Sequence, residues 1–449
     1  MTRVIAEEDK VLLQSIVRTG LRFYLLVAAL LTVIVWGFSA YYRQLTEGLW
    51  VTGMNRPVLW GLYITNFVFF IGISHAGTLI SAILRVTQAE WRRPITRIAE
   101  AITLFALLIG ASQVIIDLGR PDRMIKLITH GRFQSPLLWD VSSVTIYLLG
   151  SLTYLYLPLI PDVAILRDHL GTQVPAWRRR LYQILSLGWQ GNAEQWRRLE
   201  KGISIMAVLI IPVAVMVHTV VSWIFGMTLR PMWHSTILGP YFVVGAIFSG
   251  VATLFIVMTI MRRILHLEAY ITIKQYNNLG LVLLIMSLSW FYFTGAEYLT
   301  TFYGDLPDEM TVLLSKLVGE FSWPFWAMIL CNFVVPVSIL IWKRGRGIVG
   351  TFIAAVAIDI GMWLERFTIV VPTLTRPRLT FYGVGIYRPT LTEWGLFATS
   401  GAVFVLLLML FFKLFPAVSI WEVEEGREIE AAKQAVARII AASPEAPAR

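Results

Sequence analysis

The sequence predicts an all-α polytopic membrane protein with about ten transmembrane helices. Three observations carry this. The chain is 57% hydrophobic, with a mean hydropathy of +0.68. Only 15% of its residues are charged, where a soluble domain has about a quarter. Its apolar runs are long enough for a hydrocarbon core of about 30 Å, and none alternates over about ten residues like a barrel strand.

Residues 1–21 read as a short polar lead, with a first span expected at 22–44. Glu7, Glu8 and Asp9 ahead of that span, its length and the lack of a clear A-x-A site argue against a cleaved signal peptide. Spans two and three are expected at 58–84 and 98–117, joined by the compact basic segment 85–97. The following segment, 118–136, is longer than a turn needs and rich in charge. Span four at 137–157 leads into the longest connection, 158–201, where Trp177, Ile184, Leu187 and Trp189 lie among arginines. That pattern suggests amphipathic helices in the interface or a protein-docking surface. The remaining spans are expected at 202–226, 239–261, 279–300, 319–342, 348–371 and 394–415. Segment 301–318 is acidic, segment 372–393 carries Arg376, Arg378 and Arg388, and the tail 421–449 opens as a charged helix candidate and ends Ala/Pro-rich. Spans two to five and six to nine group as two four-helix bundles flanked by spans one and ten, since internal repeats are common in membrane proteins. The corresponding units are 1–57, 58–226, 227–371 and 372–449.

Placing the N-terminus in the cytoplasm puts most of the 38 basic residues in inside segments, so both termini are expected inside. The net charge of +10 is therefore a topology signal and not a nucleic-acid footprint. Cys331 is the single cysteine, which excludes an intrachain disulfide, a four-thiolate cluster and C-x-x-C-H haem attachment. Iron–sulfur or c-type haem chemistry would have to come from partner chains. No Walker A motif, no GxGxxG ahead of a soluble helix and no H-E-x-x-H occurs, and no metal site is expected.

Ionisable residues against apolar spans mark where function is to be sought. Asp117 closes span three in Asp117-Leu118-Gly119-Arg120-Pro121, where Gly119 and Pro121 read as a helix stop. A carboxylate in the last turn faces the negative end of the helix dipole, so Asp117 needs a partner, with Arg120 and Arg123 nearest. A structural salt bridge and a functional acid both fit. Asp140 opens span four after Trp139 and would face Asp117 across neighbouring spans. Two such carboxylates near the outer surface could accept protons released when a quinol is oxidised. His218, Glu297, Glu365 and Arg366 fall in outer parts of their spans, and Glu365 and Arg366, being adjacent, are each expected to need a separate partner. His75 reads as lying about 25 Å from the outer end of span two, in the cytoplasmic half. With Asn66 and Ser74 it suggests a proton path from inside, as does Asp359, while a hydrogen-bonded interior histidine fits equally well. Two haems would need four facing axial ligands, and only His75 and His218 lie well inside spans, at expected depths that differ.

The strings Asn55-Arg56-Pro57-Val58-Leu59-Trp60-Gly61-Leu62-Tyr63, Gly72-Ile73-Ser74-His75-Ala76-Gly77, Ser135-Pro136-Leu137-Leu138-Trp139-Asp140, Gly239-Pro240-Tyr241-Phe242 and Gly361-Met362-Trp363-Leu364-Glu365-Arg366-Phe367 resemble the NrfD/PsrC family of membrane subunits. Within it they resemble most the quinol-oxidising ActC type of bacterial alternative complex III, over about residues 45–420. The resemblance implies a bacterial inner-membrane subunit with no haem or iron–sulfur cluster of its own and a menaquinol or ubiquinol pocket on the periplasmic side. It also implies c-type cytochrome subunits, a periplasmic iron–sulfur subunit and a second NrfD-like membrane subunit as partners. On that basis Asp117, Asp140 and Glu365 are the expected catalytic groups. Trp139, Arg120, Arg123, His218 and Arg366 are the expected quinol-binding groups, and His75, Glu297 and Asp359 the expected proton path. Two departures stand out: Asp117 occupies a place where relatives of that type carry histidine, and Ile224 one where they carry an acid. Asp117 to Arg123 looks more like the polysulfide-reductase branch.

Other readings fit the same residues. A quinone-reducing or polysulfide-type module would run electrons the other way. A secondary transporter would fit buried charge and repeats, although few Gly/Pro breaks fall at matching mid-span positions. A purely structural anchor would use these charges only to hold helices together.

Overall fold

The computed structural model describes residues 10–17, 19–228, 230–376 and 383–442. Arg378 and the Ala/Pro-rich end of the tail from residue 443 lie outside them. Among the described residues there is no strand, and ten helices are long and apolar enough to cross a membrane. They are α1 (Leu21–Glu47), α2 (Leu62–Val86), α3 (Thr96–Asp117), α4 (Pro136–Leu170), α5 (Ala193–Met227), α6 (Leu238–Ile264), α7 (Ile273–Gly304), α8 (Ser322–Leu340), α9 (Ile348–Thr375) and α10 (Leu391–Leu414). The all-α, ten-span reading is borne out.

Local chemistry explains the helix starts. Pro136 opens α4 at the first turn, where its missing N–H is no loss. Asn192 caps α5 by accepting the Gln195 N–H at 2.8 Å. Thr272 with Gln275 and Thr390 with Glu393 form capping boxes on α7 and α10. Helices α4 and α5 are each 35 residues long, more than a bilayer requires. Much of the expected 158–201 connection is thus helix: α4 runs on through Pro158 and Pro161. A separate amphipathic helix, Ala176–Leu185, leaves Trp177 and Ile184 exposed.

Helices α2 to α5 pack on one another, and so do α6 to α9. The two groups meet where α5 and α2 lie against α6, and α2 against α9. The first helix packs on α10, which also lies against α3. Two helices carry a π-type turn: α2 at Thr78–Ile83, just after His75, and α8 at Leu330–Val334. Such turns are often found at functional sites.

The tail helix Ile420–Ala442 is held at the end of the first group away from Asp140. Arg97 and Asp162, both buried, form an ion pair at 2.5 Å. Asp162 also accepts the backbone N–H groups of Ile420 and Trp421, each at 3.2 Å. The carboxylate thereby answers both the guanidinium and the positive end of the tail helix.

Candidate functional site

Helix α2 begins at Leu62, later than the expected residue 58. Gly61 keeps a non-helical backbone, and a Cβ there would collide with the Tyr387 ring. The Tyr387 hydroxyl accepts the Leu62 N–H at 2.8 Å and so fixes the first turn. The late start brings His75 about one turn nearer the N-terminal end of α2 than the sequence suggested. That corrects the expected difference in depth, because the His75 and His218 rings meet edge to face with centroids 4.1 Å apart. Both are fully buried. The two ring nitrogens of His75 lie 2.8 Å from the Ala214 carbonyl and 3.2 Å from that of Ile71. Neither nitrogen of His218 has a hydrogen-bond partner among the described residues. Tyr147 of α4 stands 5.4 Å from His75, ring to ring, and donates to the Ser74 carbonyl at 2.9 Å.

A groove of about 430 Å³ opens between α4 and α5. Its lining from α4 is Trp139, Ser142, Ser143 and Ile146; from α5 it is Met216, Val220 and Trp223. Asp140 and His218 lie among these residues on the same two helices, with their side chains turned inward and buried. The Asp140 Oδ1 is buried without a hydrogen-bond partner among the described residues. The volume falls within the range of small-molecule sites, about 300–1,000 Å³. A mainly apolar groove lined by two tryptophans and two serines, on helices that also carry a buried carboxylate and an uncommitted imidazole, can take an apolar ring that carries hydroxyl or carbonyl groups.

Asp117 is placed differently. Gly119, at φ +63°, turns the chain away beside Leu49, and Arg120 pairs at 2.9 Å with Asp122 in solvent. The expected Asp117–Arg120 or Asp117–Arg123 bridge is therefore not formed. The charged group acting on Asp117 is Glu393, and Tyr63 lies within reach of both carboxylates. Asp140 answers to neither. Tyr63 donates to Gln44 at 2.7 Å, and Gln44 donates to the Ile116 carbonyl at 2.8 Å. Glu393 accepts from Tyr387 at 2.5 Å, from the Gly53 N–H at 2.7 Å and from the Thr390 N–H at 2.9 Å. The structure thus does not join Asp117 to Asp140. Asp117 Oδ1 is buried without a hydrogen-bond partner among the described residues, while the bonds to the flanking helices α1 and α10 are made around it by Tyr63, Gln44 and Glu393.

Glu365 and Arg366 lie in the second group and are both buried. Contrary to the expectation of separate partners, they approach each other to 2.9 Å, out of line for a hydrogen bond. A long side chain can fold back over its own helix, which adjacency alone did not reveal. Glu365 also accepts from Trp290 at 2.8 Å and is hydrogen-bonded to Tyr241. Arg366 lies 5.0 Å from the Phe242 ring centroid and acts electrostatically on both His75 and His218. Asp359 accepts from Thr253 at 2.8 Å across α6 and α9. Asn66 accepts from Trp363 at 2.9 Å, which takes it away from His75.

A second cavity, about 440 Å³, lies at the C-terminal end of α7. Glu297 lines it with the His234–Glu309 pair, whose atoms are 2.9 Å apart, and is hydrogen-bonded to Ser235. Lys316, from the helix Pro307–Leu317, is buried beside it. Among the described residues its ammonium meets the Met232 sulfur at 3.9 Å and the Tyr298 ring at 5.5 Å, beside the charge of Glu297. Burial pushes Lys316 down to about 8.

Sequence reasoning missed Glu393, Tyr387, Lys316 and the Arg97–Asp162 pair. Thr390-x-x-Glu393 was legible as a capping box, and Pro161-Asp162 as a charge beyond a span. For Tyr147 and Gln44 the sequence held no signal. Among the described residues no group of three or more His, Cys, Asp or Glu side chains is arranged to hold a metal ion.

The family model described as "Polysulphide reductase, NrfD" matches residues 50–378. A Halobacterium salinarum protein bearing the name of a dimethyl sulfoxide reductase membrane subunit is 30% identical over 54% of this chain, which spans about half (52%) of that relative. A subunit of the selenate reductase of Mesobacillus selenatarsenatis is 23% identical over 88% of this chain and 94% of its own. The Hdr-like menaquinol oxidoreductase integral membrane subunit of Archaeoglobus fulgidus is 23% identical over 90% of this chain and 97% of its own.

Proposed function

We propose that this chain, which belongs to the polysulphide reductase NrfD family, is the quinol-binding membrane subunit of a multi-subunit oxidoreductase. The observation that carries this is the groove between α4 and α5, with Asp140 and His218 inward of it, each holding a polar atom unpartnered among the described residues. A menaquinol or ubiquinol headgroup enters from the lipid between Trp139 and Trp223. Its two hydroxyl protons go to the Asp140 carboxylate and the His218 imidazole. The two electrons leave to a partner chain, and a quinone departs by the same groove. The name of the Archaeoglobus fulgidus relative, a menaquinol oxidoreductase subunit, supports this substrate class.

The finer reading is an alternative complex III-like role. The acceptor is then a periplasmic iron–sulfur subunit feeding c-type cytochromes, beside a second NrfD-like subunit in the bacterial inner membrane, with both termini cytoplasmic. Asp117, Glu365 and Arg366 lie outside the groove. In this reading Glu365 and Arg366 act with His75, Asp359 and Glu297 in proton handling, Glu393 holds the flanking helices, and Asp117 has no part at the quinol. Arg120 and Arg123, being exposed, take no part in holding the quinol. The units 58–226 and 227–371 serve as quinol-site and proton-handling bundles.

The test is quinol:acceptor oxidoreduction by the purified complex with Asp140→Asn. Turnover should fall at least tenfold, about 1.4 kcal/mol of barrier or more, with assembly and cofactor content intact. Unchanged turnover removes Asp140 from the reaction.

A further inference from the structure

Residues 118–135 leave the end of α3 and return to the start of α4 on the side opposite the basic inner segments. Their apolar side chains are not tucked in. Leu118, Ile125 and Ile128 are exposed, and Phe133 is 85% exposed. Ile125 and Ile128 share one face of the short helix Met124–Thr129. Around them stand Arg120, Arg123, Lys126 and Arg132 against a single carboxylate, Asp122. Four cations in one outer segment run against the rule that places Lys and Arg inside, so topology does not account for them. An apolar centre ringed by cations has the composition of a protein interface, where phenylalanine and arginine are enriched.

The position of this surface is specific. The Trp139 indole donates to the Phe133 carbonyl, so one side chain both lines the groove and holds the hairpin. Quinol oxidation frees two electrons, and one cysteine cannot build a thiolate cluster to receive them. A receiving chain seated on this hairpin lies next to the groove, through Trp139.

We propose that the 118–135 hairpin is the docking surface for the electron-accepting polypeptide, which presents an apolar depression rimmed by Asp and Glu. This rests on the reading of the groove as the quinol site. Ile125, Ile128 and Phe133 supply the apolar contact, and Arg123, Lys126 and Arg132 supply attraction and orientation.

The test replaces Phe133 with a benzophenone amino acid in the full chain, illuminated in native membranes with and without R123E/K126E/R132E. Menaquinol retained per chain is measured separately. The expected result is one adduct with a polypeptide that copurifies with this chain, mapping to a peptide flanked by Asp or Glu. The triple variant should lose that adduct and at least tenfold of electron delivery while keeping its menaquinol. Adducts with phospholipid alone overturn the proposal in favour of a lipid-seated hairpin. An adduct and a rate unaffected by the triple reversal also overturn it. An acid-flanked adduct formed where no menaquinol is retained supports the docking surface and sinks the groove reading instead.

Discussion

His75 and His218 stand edge to face, 4.1 Å between ring centroids, on helices α2 and α5. Their hydrogen bonding is unequal: His75 faces two backbone carbonyls, while His218 faces none among the described residues. Two imidazolium ions this close and this buried would repel strongly, so at most one of the two rings carries a charge at a time.

The inequality separates their roles. His218→Phe keeps an apolar ring in place and breaks no hydrogen bond, so the fold should survive. Turnover should fall at least tenfold, about 1.4 kcal/mol. His75→Phe gives up the Ala214 contact as well and should also lower the unfolding temperature. Steady-state quinol oxidation and thermal unfolding in detergent measure the two effects. Full turnover in His218→Phe would take the pair out of the mechanism.

The groove makes a prediction of a different kind. Val220→Trp puts a bulky ring into its lining and leaves the Asp140 and His218 side chains themselves unaltered. KM for quinol should rise about tenfold, ~1.4 kcal/mol of binding, with kcat changed little. An unaltered KM would mean that quinol enters elsewhere.

Much of the fold was legible because its spans are continuous apolar runs, and a bilayer forces such runs to become helices. The candidate site was legible in part. Asp140 and His218 stood out as ionisable groups in spans, but their relation depends on side-chain direction and helix start. A shift of about one turn, imposed by Tyr387 against Gly61, decides whether His75 meets His218. Asp117 shows the opposite failure. Its sequence neighbours Arg120 and Arg123 looked like partners, yet Gly119 turns them outward, and the carboxylate acting on it lies 276 positions away at Glu393.

Glu393 should prove structural. It accepts from Tyr387, Gly53 and Thr390 at once, and hydrogen bonds to a charged group are worth about 1.5–3 kcal/mol each. Glu393→Gln turns one acceptor into a donor facing other donors. Unfolding temperature should drop, while turnover per folded molecule stays within about twofold, well under 1 kcal/mol. A stable but inactive variant would move Glu393 into the site.

At the end away from Asp140, Asp162→Ala leaves Arg97 buried without its counter-ion and frees the first turn of the tail helix. The cost should be about 3–5 kcal/mol. Limited proteolysis should then cut near residue 420, which is buried in the wild type. Resistance to cleavage would show that packing alone seats the tail.

Lys316 gives a prediction in pH. Burial drives its ammonium down to about 8 from 10.5, and Glu297 opposes the shift only in part. Between those two values the unfolded chain holds a proton that the folded chain has released. Stability therefore rises as pH climbs through that window and is lowest below it, where the buried ammonium is charged. The full effect is on the order of 3 kcal/mol. Lys316→Met has no ammonium to bury, although it leaves Glu297 without that neighbour. Its unfolding temperature should exceed that of the wild type at pH 7, and the gap should close towards pH 10. A gap independent of pH would mean that the ammonium is solvated through the Glu297 cavity, and that the cavity reaches further inward than its lining residues indicate.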